Sequence, residues 1–365
     1  MNTNTHERLP DGLRDWLQQH APALNDGTSD DEALLPALAA AGLFAIGVPQ
    51  SMGGTGGSTG DAVEAIAAVA KHSLTAAFVF WGHRAFIEYL LASPNAALRE
   101  RRLPALLAGK HAGATGLSNA MKFLCGIESL QIESSRTGEG WRLDGKLPWV
   151  TNLRKSGFVF AAAVSSREGE PPFIVALDGR HAGVSRTADL DLIAMRGSNT
   201  AALTIDGALI DASDVIAPDA RDWLPRVRPG FLGLQCGLSI GLARAALAAA
   251  QARCNSARAT LQDELDAVGD ALAKQVVALL DGLAAQRFVS DAAALFRLRI
   301  ALADTVQRAV QLELQASGGR AYLVDPQFGF ARRLQESAFV PVITPSVTQL
   351  QGELLKRAQA QARAA

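Results

Sequence analysis

The stretch Trp141-Arg142-Leu143-Asp144-Gly145-Lys146, continued by Trp149-Val150-Thr151-Asn152, marks a change of texture in the chain. Its first six residues read as a strand ending in an Asp-Gly turn, a dipeptide that accepts positive φ. Outward from it, Phe158 to Val164 and Phe173 to Leu177 are short apolar runs bounded by Gly, Pro and charge, as buried strands are. Ala202-Leu203-Thr204-Ile205-Asp206-Gly207 repeats the strand-then-turn pattern. An antiparallel barrel or sandwich of about 100 residues fits this region, residues 113–219.

On both sides the period becomes helical. In residues 1–112, Leu34 to Leu38 and Ala62 to Val69 carry apolar side chains at helical spacing, with Ser29-Asp30-Asp31-Glu32 placed as an N-terminal cap. In residues 220–365, the segments Gly241–Leu261, Leu265–Phe288 and Asp291–Ala316 are long amphipathic runs that predict an antiparallel helical bundle. The predicted class is α+β, with a helical domain, a middle β domain and a C-terminal four-helix bundle in that order.

Composition narrows the function. The 365 residues are 48% hydrophobic and 19% charged, enough to bury a core and too little charge for a disordered chain. Lys plus Arg (35) against Asp plus Glu (36) leaves no basic field for nucleic acid or anionic membrane. Cys125, Cys236 and Cys254 form no Cys-x-x-Cys pair, so neither structural zinc nor a disulfide framework is expected. The first residues lack the apolar core of a signal peptide, which predicts a soluble cytoplasmic protein. Gly53 to Gly60 lacks the Gly-Lys-Ser/Thr ending of a phosphate loop and reads as a turn-rich linker. No metal-spaced His pair occurs. His83, in the apolar stretch Phe78-Val79-Phe80-Trp81-Gly82-His83, is either a hydrogen-bonded core residue or an acid/base group.

Four motifs in order then resemble one family, the acyl-CoA dehydrogenase superfamily. They are Gly42-Leu43-Phe44 with Val48-Pro49-Gln50 and Gly53-Gly54; Leu143-Asp144-Gly145-Lys146 with Trp149-Val150-Thr151-Asn152; Met195-Arg196-Gly197-Ser198-Asn199-Thr200; and Gln315-Ala316-Ser317-Gly318-Gly319 with Tyr322 and Pro326. The resemblance runs from about residue 30 to 356. It implies FAD held between the β-barrel and the C-terminal bundle of a homodimer or homotetramer, with an electron-transfer flavoprotein or a reductase as redox partner. It also implies cofactor contacts from Thr115, Ser118, Trp149, Thr151 and Gln349. Arg258, Gln315, Gly318 and Gly319 would serve a neighbouring subunit's FAD.

The departures from the family pattern bear on mechanism. The usual catalytic glutamate of Tyr-Glu-Gly-Thr-x-Gln is replaced in Thr344-Pro345-Ser346-Val347-Thr348-Gln349 by Pro345, which cannot accept a proton. The alternative position on the first C-terminal helix falls near Phe231, and no acid lies between Leu224 and Gly241. The flavin loop reads Thr115-Gly116-Leu117-Ser118-Asn119-Ala120-Met121-Lys122, without the family's Gly-Ser-Asp ending. The resemblance therefore implies an FAD-dependent oxidoreductase acting on an acyl thioester or related carbonyl compound, with His83 as surviving acid/base group. A flavin monooxygenase and a non-catalytic subunit or scaffold are the alternatives.

Overall fold

A computed structural model describes residues 9–28, 31–124, 126, 128–254, 256–323, 325 and 328–364. Ser29, Asp30, Cys125, Pro326 and the Arg258 side chain lie outside the described residues, so the cap, thiol and cofactor expectations placed on them have no structural counterpart here.

The N-terminal helices are α1 (Asp11–Asp26), α2 (Leu34–Ala40), α3 (Thr59–Ala70), α4 (Leu74–Leu91) and α5 (Ala96–Leu107). Capping defines their starts. Ser58 and Asp61 form a reciprocal capping box on α3, Ser73 caps α4 and Asn95 caps α5. Between α2 and α3 the glycine cluster makes the turn expected of it. Gly53, Gly56 and Gly57 have positive φ, and a Cβ on Gly54 would lie 2.1 Å from the Val48 carbonyl oxygen.

The middle region holds β1 (Ala112–Thr115), α6 (Ser118–Leu124), β2 (Ile132–Thr137), β3 (Gly140–Val150), β4 (Phe158–Ser166), β5 (Phe173–Asp178), β6 (Val184–Arg186), β7 (Ala201–Ile210) and β8 (Val215–Ala217). The strands form one sheet in the order β6-β7-β3-β2-β4-β5-β8, with β1 also paired to β4. Two expectations are corrected here. The sheet is mixed, because β1 and β2 both run parallel to β4 while the other pairs are antiparallel. Asp144-Gly145 and Asp206-Gly207 do not end strands. They face each other inside the β3–β7 ladder, where the register shifts, and the Asp144 carboxylate takes the Gly207 backbone N–H at 2.8 Å. Positive φ at Gly207 is spent on a bulge rather than a hairpin.

The C-terminal helices are α7 (Ala220–Gln251), α8 (Gln262–Ala284), α9 (Arg287–Ser290), α10 (Ala292–Ser317), α11 (Phe330–Phe339) and α12 (Val347–Ala364). The first of these ends at Gln251, short of the expected Leu261, and a 3-10 turn covers Ser256–Leu261. Long and apolar enough by composition to cross a membrane, α7 is instead a core helix packed on α3, α4, α8 and α10. Gly237 and Gly241 permit that closeness. A Cβ at Gly241 would lie 2.2 Å from the Ala67 carbonyl oxygen of α3, and one at Gly237 2.7 Å from that of Val63. Helices α7, α8, α10 and α12 make the bundle, and the order helices, sheet, helices is the predicted one.

Candidate active site

Where β3 ends, its alternation leaves Trp149 62% exposed while Val150 and Thr151 are buried. Asn152 then turns the chain in the left-handed region, with its side-chain amide donating to the Gly113 carbonyl at 2.8 Å. Backbone N–H groups of Asn152 and Leu153 donate to the carbonyls of Ser198 and Asn199. Two motifs far apart in sequence are thereby laced together. A hydroxyl chain continues the link, Thr151 Oγ1 lying 2.5 Å from Thr200 Oγ1 and Ser198 Oγ 2.8 Å from the same atom.

A second wall starts at the end of β1. Thr115 Oγ1 is 2.8 Å from the buried Tyr89 hydroxyl, whose pKa burial pushes upward. Gly116 passes so near β4 that a Cβ would sit 2.5 Å from the Ala161 carbonyl oxygen. Ser118 and Lys122 follow one turn apart on α6. The Lys122 ammonium is 3.1 Å from a Glu128 carboxylate oxygen.

The third wall comes from the C-terminal region. Ser346 and Gln349 cap α12 reciprocally: the Gln349 side-chain oxygen accepts from Ser346 N at 2.7 Å, and Gln349 N donates to Ser346 Oγ at 3.2 Å. Behind this wall lies a buried Arg299. Its Nε donates to Gln235 Oε1 at 2.8 Å and its Nη2 to the Val340 carbonyl at 2.6 Å, while Gln235 Nε2 donates to the Thr344 carbonyl at 3.0 Å.

These walls enclose a cavity of about 650 Å³. Thr115, Ser118, Trp149, Thr151 and Gln349 all line it, so five expected cofactor residues from three stretches of chain meet there. Gln315, Gly318 and Gly319 do not. Gln315 and Gly319 are exposed at the end of α10, and Gly318 caps that helix at φ +59°.

The structure places His83, the expected acid/base group, away from this cavity. It is fully buried, outside the cavity lining, with Nδ1 accepting from Gly113 N at 2.9 Å and Nε2 placed 3.0 Å from the Leu106 carbonyl. An accepting Nδ1 requires the proton on Nε2, so the ring is a neutral donor to Leu106. Burial pushes its pKa down to about 3, against the opposing hydrogen bond. Pro345 also lies outside the main cavity. Its ring lines a small neighbouring one with Arg228, Phe296 and Glu353, whereas Thr344 and Ser346 line the large one.

Sequence reasoning passed over Phe78, Trp81, Lys122 and the α11 residues Gln335, Ala338 and Phe339, all of which line the cavity. The signal for two of them was the helical period. His83 sits roughly 140° around α4 from Phe78, whereas Trp81 shares the Phe78 face. The Phe78 and Trp81 rings stack at 5.5 Å, and Phe339 meets Phe78 edge-on at 5.0 Å. Among the described lining residues only Lys122 is titratable, and none of them is a carboxylate, an imidazole or a thiol.

Residues 3–110 match the family model described as acyl-CoA dehydrogenase, N-terminal domain. The chain is 28% identical over 189 residues to mitochondrial isovaleryl-CoA dehydrogenase of Pongo abelii, covering 49% of this chain and 44% of that protein. Over these segments the chain is similar in sequence to acyl-CoA dehydrogenases. It spans about half the length of the curated relatives it matches first. Among solved structures, butyryl-CoA dehydrogenase from Megasphaera elsdenii is similar at a TM-score of 0.76 and 16% identity, over 97% of this chain and 99% of that one. Nitrososynthase from Micromonospora carbonacea var. africana is similar at 0.76 and 18% identity, over 95% and 94%. At such identities the likeness is one of fold.

Proposed function

We propose that this protein is an FAD-dependent oxidoreductase acting on an acyl thioester or a related carbonyl compound. One observation carries the reading: Thr115, Ser118, Trp149, Thr151 and Gln349 converge on a single cavity. Its residues fit a flavin. An exposed flat indole and apolar walls suit the ring faces, and the hydroxyls of Thr115, Ser118, Thr151 and Thr200 suit its polar rim. When bound, FAD supplies hydride or electron acceptance, which no side chain here provides. Trp149 would cover a ring face, and the Thr151–Thr200–Ser198 hydroxyl chain would hold Thr151 oriented toward the ring edge. The Arg299–Gln235 pair holds the Thr344 wall against which substrate would rest.

A second reading is favoured by the missing carboxylate. Removing a proton alpha to a thioester needs a positioned base, worth about 10²–10⁴ in rate. The described cavity residues include no such group except the Lys122 amine, which is held by Glu128. A monooxygenase of this superfamily, using reduced flavin and oxygen, has no need of that carboxylate. The fold shared with nitrososynthase is compatible with it.

Purified protein should carry or take up FAD. Anaerobic bleaching of that flavin by an acyl thioester supports the dehydrogenase; oxygen consumption with externally reduced flavin supports the monooxygenase. A colourless protein without FAD affinity leaves the non-catalytic subunit. An electron-transfer flavoprotein or a reductase as redox partner, a homodimer or homotetramer and a cytoplasmic location belong to the same proposal. Gln315, Gly319 and Tyr322 are exposed, and in this proposal they would face a second subunit.

A further inference from the structure

We propose that Lys122 is the anion anchor of the cavity, its ammonium taking a phosphate of the bound dinucleotide, an inference that rests on the FAD reading above. Lys122 is the lone charged side chain among the described residues lining the cavity; the others are hydroxyls, amides, backbone and apolar groups. A phosphate drawn into such a space without a cation loses more hydration than neutral donors restore. With a cation it gains a charge-assisted hydrogen bond.

The surroundings of Lys122 are built to present it. Its ammonium has three N–H donors, and its recorded contacts, at 3.1 and 3.4 Å, both go to the Glu128 carboxylate. Glu128 is fixed in turn by the Asn119 side-chain amide at 2.7 Å, and Asn119 is fixed by Ser129 O at 2.9 Å and Gln131 N at 3.0 Å. The lysine is therefore oriented through Glu128 and Asn119. Ser118 lies one helical turn earlier on α6 and also lines the cavity, so a hydroxyl and an ammonium share one face at i and i+4. Lys122 and Gln349 also border the small neighbouring cavity, which is lined by both Arg228 and Glu353 and so adds no net charge on that side.

The test is equilibrium titration of flavin-free protein with FAD, riboflavin and coenzyme A, using the wild type, Lys122→Gln, Lys122→Arg and Ser118→Ala. Flavin fluorescence reads the first two ligands and calorimetry the third. Lys122→Gln should weaken FAD about tenfold or more and leave riboflavin unchanged, because riboflavin has no phosphate. Lys122→Arg should keep most of the FAD affinity. Ser118→Ala, a milder change should glutamine disturb the loop, should weaken FAD by a few-fold and spare riboflavin. Equal losses for FAD and riboflavin overturn the proposal, as does unchanged FAD affinity in both Lys122→Gln and Ser118→Ala. A loss confined to coenzyme A also overturns it, moving the anion from cofactor to substrate. Wild-type protein that binds no flavin ends the FAD reading itself, a result distinct from all of these.

Discussion

His83 and its neighbours on α4 divide one helix between two tasks. Phe78 and Trp81 face the cavity, and His83 faces the backbone of Leu106 and Gly113. A histidine whose folded pKa lies near 3 binds fewer protons folded than unfolded between that value and about 6.5. Its contribution to stability is complete above pH 6.5 or so and is lost as pH falls toward 3. Urea denaturation at pH 7 and pH 5 should show wild type losing about 2 kcal/mol more than His83→Gln across that interval. An equal loss in both would contradict the buried neutral ring. Where an introduced carboxylate could reach the cavity is also decided at single residues. Thr344 lines the cavity and Pro345 does not. Thr344→Glu should raise turnover of an acyl thioester by about 10²-fold, while Pro345→Glu should not. Steady-state assays of the two variants, with flavin content matched, compare them directly. Trp149 is the remaining residue-scale case. With 62% of its surface exposed, Trp149→Ala should leave the melting temperature almost unchanged yet weaken FAD several-fold. Parallel melting curves and flavin titrations separate those effects.

Among the elements, α7 shows most clearly what spacing alone conceals. Its apolar run predicts a helix, but Gly237 and Gly241 read as helix-weakening residues until α3 is placed against them. Helix propensity favours alanine over glycine by about 1 kcal/mol in a helix interior. Contact with the Ala67 carbonyl oxygen reverses that preference. Gly241→Ala should destabilise the protein by about 1–3 kcal/mol, measured by urea denaturation, because the backbones must separate to admit the methyl group. Stabilisation instead would mean that α3 and α7 lie further apart. The β3–β7 bulge carries the same lesson. Asp144-Gly145 has the local chemistry of a hairpin turn, and the partner strand, with its own Asp206-Gly207, makes it a ladder irregularity.

For the molecule as a whole, the cavity depends on contacts that join the three layers. Arg299 has no carboxylate partner among the described residues, and its Nη1 has no hydrogen-bond partner, yet it clamps the 340–346 wall through Val340 and Gln235. Arg299→Met should speed hydrogen exchange at Ile343 and the start of α12 more than in α3 or β4, since the clamp is lost and Gln235 is left half satisfied. Uniform exchange across the chain would place the arginine in general packing. The sequence by itself determined the order of helices, sheet and helices, because periodicity and capping act within a dozen neighbouring residues. It also marked Thr115, Ser118, Trp149, Thr151 and Gln349, whose surrounding motifs are contiguous. Only the tertiary structure decided that these five share one cavity while Gln315, Gly318 and Gly319 stand apart. It alone turned His83 inward, kept Pro345 out and left Lys122 as the lone charge among the described residues of the lining. The physical reason is that a side chain's direction and desolvation depend on elements brought together from distant parts of the chain, which no local pattern records.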